Sequence, residues 1–223
     1  NTPYPLKHRP QKIFPKKTRP RPTKNPRGPP PPPRVALPGP YNPDRPFPRF
    51  LHGGGGGLSP LPPQGHRLSQ SQARIFQVFT QGNLATLTGG PGTGKSFTVA
   101  SLLQSPTLQG KKVALAAPTG KAAKRLEELA GRPALTVHRL LGVYLDQEGQ
   151  QHFRHHGGNP LEAHLVVVDE SSMLDVPTFY ALIAAISPFT LLLLVGDPYQ
   201  LPPVGPGEPF ADSLGVLPGV HLT

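Results

Sequence analysis

The 223-residue chain carries 33 prolines, 25 glycines and no cysteine, with a formal net charge of +11. Without cysteine, disulfide frameworks and cysteine-ligated metal sites are excluded, and no apolar run approaches the ~18–20 residues of a membrane span. The basic N-terminus lacks the apolar core of a secretory signal, and the absence of cysteine fits a reducing compartment, so the chain is read as cytoplasmic.

Charge and proline are unevenly placed. Residues 1–68 hold 20 of the 33 prolines and 13 of the 23 Lys/Arg, with a single acid, Asp44. The rest of the chain has ten basic and eleven acidic side chains, so the whole positive balance belongs to the leading segment. That composition buries too little apolar surface to offset ordering entropy. Residues 1–67 are therefore expected to form a disordered, basic, proline-rich tail with polyproline II character. It fits an arm that tracks nucleic-acid phosphates, a proline-rich docking ligand, or a solvated leader; no aromatic interleaving supports base stacking. The chain opens on Asn1 and its one methionine is Met173, so it reads as a fragment at that end.

From Leu68 the pattern becomes globular. Ser69 is a helix N-cap, and Ile75, Phe76 and Phe79 supply an apolar face before Gly82-Asn83 ends the helix. Leu84-Ala85-Thr86-Leu87-Thr88 reads as a strand. Gly89-Gly90-Pro91-Gly92-Thr93-Gly94-Lys95-Ser96 follows and fits G-x-x-x-x-G-K-[ST] at every fixed position. A helix over 96–104 completes the strand–loop–helix context that makes the pattern a phosphate site. Glycines let backbone N–H groups point at phosphate oxygens, and the helix N-terminus adds positive potential. Lys95 would reach the β- and γ-phosphates and the Ser96 hydroxyl would ligate Mg²⁺. A glycine-rich turn that binds nothing is the bland alternative.

A second buried strand spans 112–117 and ends at Pro118-Thr119-Gly120, before a helix over 121–130. Lys121 and Lys124, one turn apart, suit phosphates or a solvated helix face equally. A short helical turn over 135–142 takes Thr136 as its N-cap and carries His138, either structural or partner-facing. Val143–Asp146 and Gln151–His155 form an exposed β-hairpin over about 143–156. His152, His155, His156 and His164 raise a metal question, but no acid or cysteine completes a zinc set. The run 165–168 is apolar throughout, as for a strand buried on both faces, and ends at Asp169-Glu170. A helix over 176–186, a strand over 190–195 ending at Gly196-Asp197-Pro198-Tyr199-Gln200, a short helix near 210–214 and a strand near 220–222 follow. Strands alternating with helices give an α/β fold with a parallel sheet covered on both sides.

Ligands gather at the carboxyl ends of strands in such sheets. Four polar groups fall at those ends: 89–96, 118–120, 169–170 and 196–200. Asp169 fits a carboxylate holding hydrated Mg²⁺, Glu170 a general base facing the attacking water, and Gln200 an amide sensing the γ-phosphate. The alternatives are a solvated strand end for the acids and a plain loop residue for Gln200.

The ordered series LSQSQ, GGPGTGKS, APTGKAAKRL, TVHRLLG, VVVDESSM and LVGDPYQLPPV resembles the first motor domain of RecD/TraA-type superfamily 1 DNA helicases over residues 68–223. The resemblance implies a RecA-like P-loop NTPase fold and ATP-driven movement on single-stranded DNA, 5′ to 3′. By the same resemblance Gln72 reads adenine, Gly89 to Ser96 hold the phosphates, and Ser96 and Asp169 hold Mg²⁺. Lys95, Glu170 and Gln200 serve catalysis. Pro118, Thr119, Gly120 and Lys121, then Thr136 and His138, face DNA, and the hairpin takes the place of a duplex-parting pin. The implied cofactors are ATP and Mg²⁺. The implied partners are single-stranded DNA and duplex junctions, with no membrane. The sequence stops at Thr223, where the family continues into a second RecA-like domain with its arginine finger, so a partner subunit or a C-terminal motor domain is expected to complete the site. A nucleotide-binding remnant or half-motor without unwinding of its own is the alternative. A generic P-loop kinase has no need of the TVHRLL and QLPPV segments.

Overall fold

The computed structural model describes residues 68–79 and 81–223; the tail expected over 1–67 lies outside the described residues. Helices α1 (Gln70–Ala73) and α2 (Ile75–Val78) open the fold. Ser69 caps α1 through a reciprocal pair: its side chain accepts from the Gln72 N–H, and Gln72 accepts from the Ser69 N–H. The single helix expected here is instead two short ones joined at Arg74. The apolar face survives the break, because Ile75, Phe76 and Phe79 are all buried.

Six strands form one wholly parallel sheet: β1 (Leu84–Gly89), β2 (Val113–Ala117), β3 (Ala134–Thr136), β6 (Leu165–Val168), β7 (Leu191–Gly196) and β8 (Gly219–Leu222), in the order β3-β2-β6-β7-β1-β8. Between them run α3 (Lys95–Leu103), α4 (Gly120–Ala130), α5 (Val137–Leu140), α6 (Val176–Ala185) and α7 (Pro209–Ser213). Strand alternation sorts the core into two layers. Leu165, Val167, Leu193 and Val195 pack with α2, α3 and Leu126 of α4 on one face. Val166, Val168, Leu192 and Leu194 pack with Val137, Leu182 and Phe210 on the other. Full burial of each such side chain stabilises by about 1.5–3 kcal/mol. This is the parallel sheet flanked by helices expected of a RecA-like P-loop domain.

Strand β3 falls where the sequence suggested the start of a helical turn. Its residues Ala134, Leu135 and Thr136 pair in parallel with Leu115, Ala116 and Ala117. Thr136 still caps the helix that follows, its hydroxyl accepting from the Arg139 N–H at 3.3 Å. The hairpin forms between β4 (Val143–Leu145) and β5 (Gln151–Phe153), with Tyr144 opposite His152. Among the described residues no helix is long and apolar enough to cross a membrane.

Candidate functional site

All six strands of the main sheet run the same way, so β1, β2, β6 and β7 deliver the four polar groups to one edge. The register fixes their neighbourhood: Thr88 lies beside Gly196, and Val168 beside both Ala116 and Leu194.

The loop after β1 closes on itself. Lys95 Nζ donates to the Gly89 carbonyl at 2.6 Å and to the Gly90 carbonyl at 2.9 Å, and Thr93 Oγ1 donates to Gly90 at 2.9 Å. Gly94 holds φ +88°, a left-handed backbone that side chains disfavour. Pro91 and Gly92 lie exposed at the tip, while Ser96 is half-buried in the first turn of α3. Gln72, tied to Ser69 by the capping pair, presents its amide nitrogen to Gly94.

Asp169 and Glu170 leave β6 together. The Glu170 N–H donates to Asp169 Oδ1 at 2.9 Å. Glu170 has φ +52°, the single positive value at a non-glycine among the described residues. Strain of this kind concentrates at functional sites. Burial pushes the Asp169 carboxyl above the usual carboxylate range, while the Glu170 N–H and the charges of Lys95 and Arg125 pull it back. Burial also raises Glu170, and Asp169 and Asp197 add to the effect, against Lys95 and Arg125.

Gly196 closes the far side. A β-carbon there would sit 2.8 Å from the Phe210 ring and 3.1 Å from the Ser172 backbone nitrogen. Only glycine lets α7 and the turn Ser171–Met173 seat on the end of β7. Asp197 is 2 % exposed, and its carboxylate accepts from the Tyr199 N–H at 3.0 Å. This turn delivers Gln200 to an open groove of about 660 Å³. Pro118, Thr119 and His138 stand on the groove's lining with Met173, Asp175 and the 200–205 loop.

Residues 72–206 match the family described as an AAA domain. The chain belongs to that family.

Membership makes this a nucleotide-binding domain. Over 156 residues the AAA domain is 45% identical to the ATP-dependent RecD2 DNA helicase of Deinococcus radiodurans, covering 70% of this chain and 21% of the relative. It is 43% identical over 166 residues to the RecBCD enzyme subunit RecD of Mycolicibacterium smegmatis, covering 64% and 30%. The chain thus spans about a fifth to a third of the length of these curated relatives. Among solved structures, the Pif1 helicase from Bacteroides in complex with ADP-AlF3 and ssDNA aligns with a TM-score of 0.48 and 20% identity, covering 71% of this chain and 42% of that one.

The expected site residues fall into two groups. Gln72, Lys95, Asp169 and Glu170 border the loop of the AAA domain, and Pro118, Thr119, His138 and Gln200 line the groove. Gly120, Lys121 and Thr136 are outside the groove lining: the first two open α4, and the Thr136 hydroxyl is committed to capping α5. Sequence reasoning missed Arg125, whose charge acts on both carboxyls. Its signal was the i, i+4 spacing from Lys121, which puts the two on one helix face. It also missed Asp175 and Gly205, and gave Leu201 to Val204 no site role beyond their place in the LVGDPYQLPPV motif. Asp175 carried a readable signal as the residue before Val176-Pro177; it caps α6 by accepting from the Thr178 N–H at 3.0 Å.

Proposed function

We propose that this AAA domain is the first motor domain of an ATP-dependent DNA helicase of the RecD kind, coupling ATP hydrolysis to 5′-to-3′ movement on single-stranded DNA. The observation that carries the reading is the convergence, at one edge of the parallel sheet, of the closed loop 89–96 with Lys95 bonded to the Gly89 and Gly90 carbonyls, the Asp169–Glu170 pair leaving β6, and Gln200 on the groove. The 45% identity to a helicase named for DNA supports the substrate class.

In this reading the loop 89–96 cradles the phosphates, and Lys95 exchanges its two carbonyl partners for β- and γ-oxygens. Glu170 accepts the proton of the attacking water; its raised pKa makes it a better base than an ordinary carboxylate. Gln200 reports the γ-phosphate to the groove, and Gln72 reads the adenine. Among the described residues no three His, Asp or Glu side chains gather into a metal cage. The Ser96 hydroxyl and Asp169 carboxylate are hard oxygen donors of the kind that hold Mg²⁺ with phosphates and waters rather than in a cage, so the site fits that ion. Mg²⁺ held there would supply positive charge against the negative charge of the phosphates. A second motor domain or partner subunit supplies the other wall of the site and the arginine that faces it.

Titration with a fluorescent ATP analogue tests the reading. Lys95→Ala is expected to weaken binding about 10–100-fold, the value of losing charge-assisted hydrogen bonds worth about 1.5–3 kcal/mol. Equal affinity for both proteins would sink the site assignment. Hydrolysis by the chain alone should be weak with or without DNA, and a strong DNA-stimulated turnover that survives Glu170→Gln would contradict the assignment of the base.

A further inference from the structure

Strand β8 joins the sheet along one side, through β1. Its burial alternates: Val220 and Leu222 enter the core layer of Leu87, and Gly219 and His221 are exposed. The register sets Gly219 beside Thr86, His221 beside Thr88, and Leu222 beside Gly89, the first residue of the phosphate loop. The two strands approach closely. A β-carbon on Gly219 would collide with Thr86 Oγ1, and one on Gly89 would stand 2.9 Å from the Leu222 carbonyl oxygen. Among the described residues, the side-chain hydrogen bonds from β1 to β8 run through Thr88, whose hydroxyl is 2.9 Å from His221 Nδ1 and 3.5 Å from the Val220 carbonyl. Thr88 is 6% exposed. A buried hydroxyl needs a partner, and the shorter contact makes the ring nitrogen the stronger one. Thr88 leads directly into Gly89, whose carbonyl accepts from Lys95 Nζ at 2.6 Å. An exposed imidazole is thus connected to the lysine's carbonyl partner by one hydrogen bond and two adjacent residues.

We propose that His221 is a positioning residue for the phosphate loop: by holding the Thr88 hydroxyl it keeps the end of β8 against Gly89 and sets the carbonyl on which Lys95 rests before phosphates take it. The inference rests on the ATP-site reading and adds to it a residue outside the sequence motifs. Without the ring, Thr88 is left with the 3.5 Å carbonyl. The edge strand then loses its polar tie, and the first residue of the loop gains freedom that phosphate binding must remove. The effect falls on nucleotide affinity more than on global stability, because His221 is exposed while Val220 and Leu222 keep their buried contacts.

Titration of the full 223-residue chain with the fluorescent ATP analogue, paired with thermal unfolding of each variant, tests the contact. His221→Leu and Thr88→Val each remove one side of the bond while keeping bulk, and each should weaken binding about three- to tenfold. Together they should cost no more than either alone, since both remove the same interaction. His221→Asn returns a hydrogen-bonding amide near the Nδ1 position and should restore affinity to within about twofold of the parent. Parent affinity in His221→Leu, losses that add in the double variant, or no recovery in His221→Asn overturns the proposal. A loss that merely follows a lowered melting temperature overturns it as well. If Thr88→Val fails to fold, His221→Leu against His221→Asn decides alone. Parent affinity in His221→Leu beside a loss in Lys95→Ala leaves the nucleotide site standing, whereas no binding by the unaltered chain defeats the ATP-site reading beneath.

Discussion

The side-chain amide of Gln72 lies so close to Gly94 that a β-carbon on Gly94 would stand 2.5 Å from its nitrogen. Gln72 cannot simply swing away, because its carbonyl oxygen accepts from the Ser69 N–H at 2.9 Å. A residue before the first strand therefore sets the outer wall of the phosphate loop. Gly94→Ala meets both that contact and a left-handed backbone, and should cost about 1–2 kcal/mol as well as most of the nucleotide affinity. Gln72→Ala should cost about 0.5–1 kcal/mol through loss of the bond its side chain accepts from the Ser69 N–H and reduce the preference for adenine over guanine nucleotides. Thermal unfolding combined with titration of both nucleotides separates the two effects.

Glu170 opposes stability and function to each other. Replacing it with glycine removes a side chain from a left-handed backbone, and Glu170→Gly should raise stability by about 1 kcal/mol. The same variant should lose hydrolysis by about 10²–10⁴-fold, the usual contribution of a general base. Glu170→Gln keeps the strain and should show the loss of hydrolysis without the gain in stability. The rates are read as ATP turnover and the stabilities by denaturant unfolding.

Asp169 gives stability a definite slope with pH. Its carboxyl is raised in the folded chain, chiefly by burial, so over the window between its unfolded and folded values the folded state binds more protons. Stability then falls as pH rises through that window, opposite in sign to an ion-paired carboxylate. Asp169→Asn keeps an oxygen for the Glu170 N–H, removes the buried charge, and should raise the melting temperature at neutral pH while flattening the slope. A melting temperature that is unchanged at pH 7.5 would contradict the assignment of burial as the dominant cause.

The hairpin is organised by one carboxylate. Asp146 accepts from the Glu148 N–H, the Gln150 N–H and His152 Nε2, the last at 2.6 Å. The Gln150 N–H, then His152, hold its pKa below the usual range, so this support is present above the ordinary carboxylate value and is lost as pH falls through the depressed one. Asp146→Ala should speed amide exchange from 146 to 153 and leave global unfolding unchanged, because β4 is exposed along its whole length. Its exposed Tyr144 ring stacks on His152, with centroids 5.6 Å apart, and so should loosen with the turn.

The parallel sheet was legible because its interior strands are runs such as Leu165–Val168, which have no polar face to hide. The tight turn over 89–96 was legible because its glycines allow the left-handed backbone that joins β1 to α3, as at Gly94. Strand β3 was not: Ala134-Leu135-Thr136 is too short to show a period, and its edge position leaves Leu135 39% exposed. The break at Arg74 was invisible because an apolar face continues across it. Arg125 and Asp175 were missed for another reason. Arg125 acts on Asp169 and Glu170, far away in sequence, whereas Asp175 bonds Thr178 three residues on and only its place on the groove lining was hidden.

The strand order has a consequence for how the protein is made. Strand β1 is flanked by β7 and β8, so the phosphate loop hangs from a strand that has no neighbour until the last part of this chain has been synthesised. A ribosome adding about 5–20 residues per second takes on the order of ten seconds to cover the intervening hundred or so residues. Through that interval Leu84 to Thr88 is an apolar ribbon with both edges open. Open strand edges of this kind template wrong pairing, and here they lie beside the loop assigned to the nucleotide.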